Sequence, residues 1–314
     1  MTALAILEAL WAAASWALGS VYFSRALSGP HAPTPAAANT FKNVLALCLF
    51  GALLLGSGDA LRPDLWPPAS AIALLIASGV LGFAFGDSLY FAAITRCGIQ
   101  TASSITLLYV PLAAVLGWLV YGTQLAPLEL AGLALALLGV GLVITDPRTT
   151  LGGLALDPAQ RRAGVALSFG VVVVIAVAVV LGAGESQEAG LFHMAFLRMS
   201  GGVLGAGLIA PLLAWRSRRS IRRELADLSA PLRAAAQRPR PLWTAVGLAL
   251  AGLVPYHHAL RELPVGVSAV LFATTPLFAL VFGRLAGERF GRRGQGGALV
   301  GFAGIALIVL AARG

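Results

Sequence analysis

The sequence predicts an all-α integral membrane protein, with ten transmembrane helices arranged as two inverted five-helix repeats. The first observation behind this prediction is composition: of 314 residues, 58% are hydrophobic and only 11% are charged, and the mean hydropathy is +0.86. A soluble domain carries about 25% charged residues because its surface needs polar cover. This chain has too few charged residues to coat a globule of its size, so its surface must face lipid.

The second observation is that the apolar segments are long and continuous rather than alternating. In lipid, only helices and closed barrels satisfy their own backbone groups, and continuous apolar runs favour helices. A helix needs about 20 apolar residues to cross about 30 Å of hydrocarbon. The predicted spans lie near 3–24, 37–56, 69–94, 99–121, 126–145, 163–182, 191–214, 242–260, 265–284 and 295–312.

The third observation is an internal repeat, in which residues 102–126 resemble residues 267–291. The informative matches are Pro111 with Pro276, Gly122 with Gly287, Gly132 with Gly297 and Gly139 with Gly304. Proline and glycine have special backbone properties, so their recurrence indicates a repeated structure. We divide the chain into a first repeat (1–147), a linker (148–159) and a second repeat (160–314). A copy that follows five crossings is inverted, an architecture typical of secondary transporters, whose substrate site lies between the halves.

Each repeat carries a basic residue at a short turn, a helix that starts with small residues, a proline, another turn and a glycine-studded last helix. The second copy reads "REL…VSAVLFATTPLFALVFGRLAGERF…GQGGALVGFAGIALIVL". This series resembles the EamA family of the drug/metabolite transporter superfamily. Lys42 and Arg198 match the basic residue that opens the second helix of each half, and Trp16 resembles the tryptophan of the first helix. The resemblance implies ten helices and alternating-access movement of a small organic metabolite, often export of amino acids or related compounds.

Asp87, in "GFAFGDSLYF", is the strongest functional signal because it lies inside the third predicted span. A carboxylate at this depth costs about 3 kcal/mol or more unless it meets water, a partner or a proton. One interpretation is a contact with a substrate amine, or a protonation site, that faces a central cavity. The other is a structural group that is hydrogen-bonded or ion-paired near the interface. Tyr90 follows on the same helical face, where it can contact a ligand held by Asp87 or serve as a packing aromatic.

The other candidates are aromatic, hydroxyl and histidine side chains, several of them near the helix prolines. The substrate-binding candidates are Asp87, Tyr90, Trp16, Ser103, Tyr109, Tyr256, His257, Ser268, Thr274 and Thr275. The structural or gating candidates are Pro111, Pro276 and Glu288. The hydroxyls have the alternative role of repairing the backbone that proline disrupts, and His257 that of a solvated helix end. The resemblance implies a capping or pairing role for Glu288, whereas Thr123 occupies the corresponding position in the first repeat.

The motif content favours a transporter over other membrane proteins. The sequence has no Walker A motif and none of the D-D-x-x-D, H-E-x-x-H or nucleophile-elbow patterns that would indicate a membrane enzyme. A polytopic enzyme and a non-transporting ligand sensor remain the alternatives. We expect no cofactor or metal, and the expected partners are a small-molecule substrate and membrane lipid. A proton is a candidate coupling ion, nucleic acid is not expected, and the assembly is a monomer or homodimer.

Arginine dominates the basic residues, with one lysine among 22, which is typical of a GC-rich bacterial genome and indicates the bacterial inner membrane. Eight arginines lie between Arg216 and Arg240. Such a cluster can bind nucleic acid or acidic lipid, but we favour a cytoplasmic loop that follows the positive-inside rule. We also expect a short surface helix around 221–228.

The orientation of the chain follows from the distribution of charge. With the spans numbered as above, 18 basic residues fall on the side opposite the termini and 4 fall on the terminal side. Short basic loops resist translocation, so we expect the Arg216–Arg240 loop in the cytoplasm and both termini outside, whereas the resemblance implies cytoplasmic termini. A reporter that fluoresces only in the cytoplasm, inserted after Ala230, should fluoresce. A dark reporter together with an active periplasmic phosphatase fusion at the same position would contradict this orientation.

Overall fold

The computed structural model describes residues 3–28, 32–121, 126–146, 150–151, 154–182, 189–233, 240–263, 271–289 and 291–311. Its helices are α1 (Ala3–Ala26), α2 (Pro35–Gly56), α3 (Ala69–Gly79), α4 (Asp87–Cys97), α5 (Ile99–Thr106), α6 (Tyr109–Tyr121), α7 (Pro127–Ile144), α8 (Pro158–Gly182), α9 (Leu191–Ser217), α10 (Ile221–Arg233), α11 (Arg240–Glu262), α12 (Thr275–Leu285) and α13 (Arg292–Ala311). A π-helix, Val80–Gly86, joins α3 to α4, and the 3₁₀ turns are Asp59–Leu61 and Pro63–Leu65. Inside the predicted linker, β1 (Thr150–Leu151) and β2 (Leu154–Ala155) form a two-residue antiparallel pair.

The predicted helical membrane character is confirmed. Seven segments of the described chain are long and apolar enough to cross a membrane: Ala3–Ala26, Pro35–Gly56, Ala69–Cys97, Ile99–Val120, Pro127–Ile144, Pro158–Gly182 and Leu191–Ser217. Large apolar side chains cover their outer faces, and Leu119, Leu138 and Leu204 are 65%, 57% and 60% exposed. The described part of the ninth predicted span, α12, has 11 residues, so the count of ten spans stays a prediction.

Two pairs of helices, each with one member from either half, pack antiparallel. In α1 and α11, Trp11 donates to the carbonyl of Ala251 at 3.1 Å, while Glu8 contacts His258. In α3 and α8, the hydroxyl of Ser78 donates to the carbonyl of Ala178 at 2.9 Å. Each contact joins the first helix of one half to the third segment of the other half. The two contacts are therefore related as a two-fold axis would relate them.

The last helices of the two halves, α7 and α13, contact each other closely through glycine residues. A methyl group placed on Gly132 would lie 2.6 Å from the carbonyl oxygen of Gly304, and one on Gly297 would lie 2.6 Å from that of Gly139. The shift of the internal repeat equates Gly132 with Gly297 and Gly139 with Gly304. The two ends of the contact are thus equivalent, which is the self-complementary geometry of a two-fold interface. Small residues allow this approach of backbones in a membrane.

Several connections meet at one end of the helices, which we call the basic end. Asp146, after α7, accepts a hydrogen bond from Gly294 N at 2.8 Å near the start of α13. Glu288, between α12 and α13, accepts one from Ile99 N at 3.0 Å and so caps α5. Burial raises the pKa of the Glu288 carboxyl to about 7. The connections that meet here are those on the side opposite the termini in the charge count.

Two basic residues that the charge count assigned to the sides of the membrane lie inside helices. Lys42 is the eighth residue of α2 and Arg198 is the eighth residue of α9, so both lie inside helices rather than in loops. Counting them as loop residues was wrong. Without them the distribution becomes 17 against 3, so the expected orientation does not change. The surface helix expected around 221–228 is confirmed as α10.

The glycine contact predicts sharply different results for neighbouring substitutions. Gly139→Ala and Gly297→Ala should each destabilise the protein by about 1–3 kcal/mol, because the new methyl group forces the two backbones apart. Gly141 and Gly296 have no atom within 4 Å of the position that a methyl group would take. Gly141→Ala and Gly296→Ala should therefore be neutral or slightly stabilising. Thermal unfolding in detergent measures both pairs, and equal midpoints for Gly139→Ala and Gly141→Ala would contradict the packing described.

Candidate functional site

A cavity of about 150 Å³ lies between the two halves. The first half contributes residues from α1, the π-helix, α4, α5 and α6, and the second half contributes them from α8, α9, α11 and the segment before α12. The lining residues are Ala12, Trp16, Gly82, Phe83, Asp87, Tyr90, Thr106, Tyr109, Ile175, Ala178, Val179, Arg198, Ala249, Gly252, Leu253, Tyr256 and Phe272. Most of the wall is apolar or aromatic, with a few polar groups, as in sites for small molecules.

Asp87 forms a buried ion pair with Lys42. The Nζ of Lys42 lies 2.8 Å from Oδ2 of Asp87 and also donates to Oδ1 of Asn43 at 2.7 Å. Lys42 is only 1% exposed and Asp87 8%. The pair lies on facing helices, α2 and α4, and its opposite charges largely cancel. A polar environment inside the membrane is thereby built without a net charge.

The π-helix ahead of Asp87 is held by two asparagines of α2. A π-helix bonds each N–H to the fifth residue back and is rare except as a single turn, often at functional sites. Nδ2 of Asn39 donates to the carbonyls of Phe83 and Ala84 at 2.7 and 3.0 Å, and Nδ2 of Asn43 donates to Phe83 at 2.9 Å. Asn39, Lys42 and Asn43 share one face of α2 because they are three and four residues apart. One face of a single helix therefore holds both the irregular backbone and the carboxylate.

Arg198 lines the cavity from α9 and has a different environment from Lys42. Its guanidinium carbon lies 5.1 Å from the centre of the Phe83 ring, and the Nζ of Lys42 lies 5.5 Å from that ring. In the described part of the chain, Arg198 forms no salt bridge and its Nε has no hydrogen-bond partner. An aromatic face attracts a cation weakly compared with a carboxylate. Asp87 interacts with Arg198 only at a longer range and already pairs with Lys42, so these three side chains together carry one surplus positive charge.

Aromatic side chains of the first half form one wall. The ring of Trp16 stacks on that of Tyr90 with centroids 5.8 Å apart, and the hydroxyl of Tyr90 lies 3.3 Å from the Ser20 hydroxyl. Phe91 continues the stack, 6.2 Å from Trp16 and 4.0 Å from Phe23. This packing fixes the orientation of Trp16 and Tyr90. Rigid rings suit recognition because little conformational entropy is lost on binding.

The remaining aromatic side chains of the cavity lie beside two interruptions of the helix, one before each proline. The chain leaves the helix at 107–108 ahead of Pro111 and at 273–274 ahead of Pro276. Tyr109 lines the cavity directly after the first break, and Phe272 lines it before the second, with its ring centre 5.0 Å from that of Tyr256. Proline removes a backbone donor. The Thr275 hydroxyl donates to the Phe272 carbonyl at 2.6 Å, four residues before Pro276.

The remaining candidates among the described residues, which are Ser103, His257, Thr274 and Thr275, do not line the cavity. His257 is fully buried, with its Nδ1 2.8 Å from the Leu253 carbonyl and its ring against Phe50. The hydroxyls of Ser103, Thr274 and Thr275 all donate to nearby backbone carbonyls, and that of Thr275 binds the carbonyl that Pro276 leaves free. Ser268 lies outside the described residues. Asp87, Tyr90, Trp16, Tyr109 and Tyr256 are the candidates that the structure brings together.

Sequence reasoning missed Arg198, Phe83, Phe272 and Thr106 as lining residues. The available signal for Arg198 was its place inside a predicted span, at the same distance from the helix start as Lys42. A charged residue at that depth is a functional candidate by default. The pairing of Lys42 with Asp87 had no signal in the sequence, because 45 residues separate them along the chain.

The buried ion pair predicts coupling between its two members. Asp87→Asn should destabilise the protein on the order of 3 kcal/mol, because it leaves the Lys42 ammonium buried without its partner. Lys42→Met should do the same for Asp87, and the double variant should be more stable than the sum of the two effects predicts. The matched control is Arg62 with Asp64, which has the same 2.8 Å separation but is exposed. A double-mutant cycle by thermal unfolding should show no measurable coupling there. Additive effects at Lys42 and Asp87 would contradict the interaction described.

Comparison with known proteins places this architecture in a family. The model of the EamA-like transporter family matches the chain twice, over residues 3–145 and 162–310. A solved crystal structure that covers 98% of this chain and 98% of its own has a TM-score of 0.58 at 17% sequence identity, so it shares the fold. The search of curated proteins gives no match. The two matches of the family model span both halves that build the cavity, and the chain is therefore a multi-pass membrane protein of the EamA-like transporter family.

Proposed function

We propose that this protein is a secondary transporter that moves a small amphipathic organic metabolite carrying a carboxylate, such as an amino acid, across the bacterial inner membrane. EamA-like proteins are membrane transporters in general. The observation that carries the proposal is the cavity between the two halves, which combines an aromatic wall with one unneutralised cation. No ATP-binding motif occurs in the chain, so transport would draw on a solute or ion gradient.

The substrate class follows from the balance of charge in the cavity. Lys42 and Asp87 form a salt bridge, whereas Arg198 forms none within the described chain and interacts with Asp87 only at a longer range, which leaves one surplus positive charge. An arginine at this depth is costly unless it meets an anion or water, and its planar guanidinium binds carboxylate through two parallel hydrogen bonds. A carboxylate on Arg198 would offset that cost. An adjacent amine could then share Asp87 with Lys42, and an apolar group could contact Trp16 and Tyr90.

Alternating access is the mechanism that the antiparallel packing favours. Equivalent segments of the two halves make equivalent contacts, including both ends of the glycine contact between α7 and α13. We infer ten spans in two inverted repeats that rock about the central cavity, with Pro111 and Pro276 at the paired breaks. In this mechanism Asp87 and Lys42 would exchange partners with substrate or with a coupling proton during the cycle.

Three related probes test the role of Arg198. Leucine carries both charged groups, 4-methylpentanoate lacks the amine and isopentylamine lacks the carboxylate. We expect leucine and 4-methylpentanoate to raise the thermal-unfolding midpoint of the purified protein more than isopentylamine does. Arg198→Gln should abolish that difference, while Arg198→Lys should retain part of it because the charge remains. Equal stabilisation of wild type by isopentylamine and 4-methylpentanoate would contradict a carboxylate site.

Flux through reconstituted vesicles separates a transporter from the alternative classes. Wild-type protein should exchange internal radiolabelled leucine for external leucine, and Arg198→Gln should slow this exchange at least tenfold. Binding of the probes without exchange would favour a ligand sensor. Chemical conversion of a probe would favour an enzyme. Exchange that is unchanged in Arg198→Gln would refute the assignment of the cavity as the transport site.

A further inference from the structure

The arginine-rich helix α10 lies outside the proposed transport site and forms a separate surface. It follows α9 after a sharp turn at Arg218, the one described non-glycine residue with positive φ, at 55°. Leu228, only 2% exposed, packs α10 against Ala37 of α2 and against Ala206 and Ala210 of α9. Since α2 and α9 cross the membrane, α10 lies beside their basic ends, at the boundary between lipid and water.

The outer surface of this region is basic. Arg216, Arg218, Arg219, Arg222 and Arg223 are all exposed. Of the nearby acids, Asp227 lies 3.4 Å from Arg219, whereas Glu224 is turned inward and accepts a hydrogen bond from the Ser217 hydroxyl at 2.7 Å. Four of the five arginines therefore have no acidic partner within the described chain, and they converge on a stretch of eight residues.

Exposed apolar side chains accompany these arginines. Ile221 and Leu225 are 49% and 43% exposed and lie on one helical face with the buried Leu228. Trp215, at the end of α9, is 81% exposed, and tryptophan is enriched at the level of lipid headgroups. A helix with arginine on one face and such residues on the other lies in the membrane interface. A nucleic acid would match the charge but not the exposed apolar side chains.

We propose that α10 and the arginines before it form a binding surface for the headgroups of anionic phospholipids. Arginines near the surface would contact the phosphates, and Ile221, Leu225 and Trp215 would enter the adjoining acyl layer. The surface joins α2, which carries Lys42, to α9, which carries Arg198, so a bound lipid would bridge the two halves. This inference rests on α10 and the residues just before it, and it does not depend on the proposed substrate.

Native mass spectrometry of the full-length protein with dioleoyl-phosphatidylglycerol or dioleoyl-phosphatidylcholine tests the proposal. Wild type should retain dioleoyl-phosphatidylglycerol at least tenfold more strongly than dioleoyl-phosphatidylcholine. The combined variant Arg218→Gln, Arg219→Gln, Arg222→Gln and Arg223→Gln should lose most of this preference. A control variant, with glutamine at the four exposed arginines Arg162, Arg284, Arg292 and Arg293, removes the same charge from the same end and should keep it.

Two further arms keep the test decisive. A variant with lysine at the same four positions, 218, 219, 222 and 223, should retain the lipid preference because the charge remains. This variant can be measured even if the glutamine variant does not fold. An equal loss in the α10 and control variants would show diffuse attraction and overturn the proposal. Absence of any preference in wild type would also overturn it. A third result would overturn it as well. In that result, a short single-stranded oligonucleotide binds wild type but not the glutamine variant, and the glutamine variant keeps its preference for the anionic lipid.

Discussion

The ion pair between Lys42 and Asp87 is the contact on which the centre of the molecule depends. It allows a carboxylate and an ammonium group to lie between membrane-crossing helices at a separation of 2.8 Å. The same face of α2 holds the carbonyls of the π-helix through Asn39 and Asn43. Removing α2 from this position would expose a charge and two backbone acceptors to hydrocarbon at once, and each is costly there. Polar contacts therefore add to the apolar packing of Phe41 and Phe50 in fixing the position of α2.

The contact between α7 and α13 depends on glycine, because the lack of a side chain allows the two backbones to approach closely. Lipid is as apolar as leucine, so burial of apolar surface gives little drive for helices to associate in a membrane. Close backbone approach at Gly132, Gly139, Gly297 and Gly304 replaces it with dispersion contacts. The result is a stable contact at the periphery between α7 and α13, with polar chemistry concentrated at the centre.

The sequence predicted the features that depend on composition and local pattern. Low charge and long apolar runs are enough to indicate membrane helices, and the equivalence of Gly132 with Gly297 was visible as a repeat. Asp87 stood out because a carboxylate is rare inside a span. The sequence did not reveal the pairing of Asp87 with Lys42, the π-helix or the exposure of Arg198 to the cavity, because these depend on which helices become neighbours. Lys42 and Arg198 were misplaced in the charge count because each was assigned to one side of the membrane, although each lies seven residues after the start of its helix.

The π-helix at Val80–Gly86 is the part of this span in which chain length can change with the least effect on the site. A π turn holds one residue more than the α turn it replaces, and each residue of an α-helix advances its direction by about 100°. Deleting one residue from the regular helix between Asp87 and Tyr90 would therefore rotate Tyr90 away from Trp16. Deleting the surplus residue of the π turn would instead leave an α turn, and the residues from Asp87 to Cys97 would keep their direction. Such a deletion would remove the backbone carbonyls that Asn39 and Asn43 bind while Asp87 still faced Lys42.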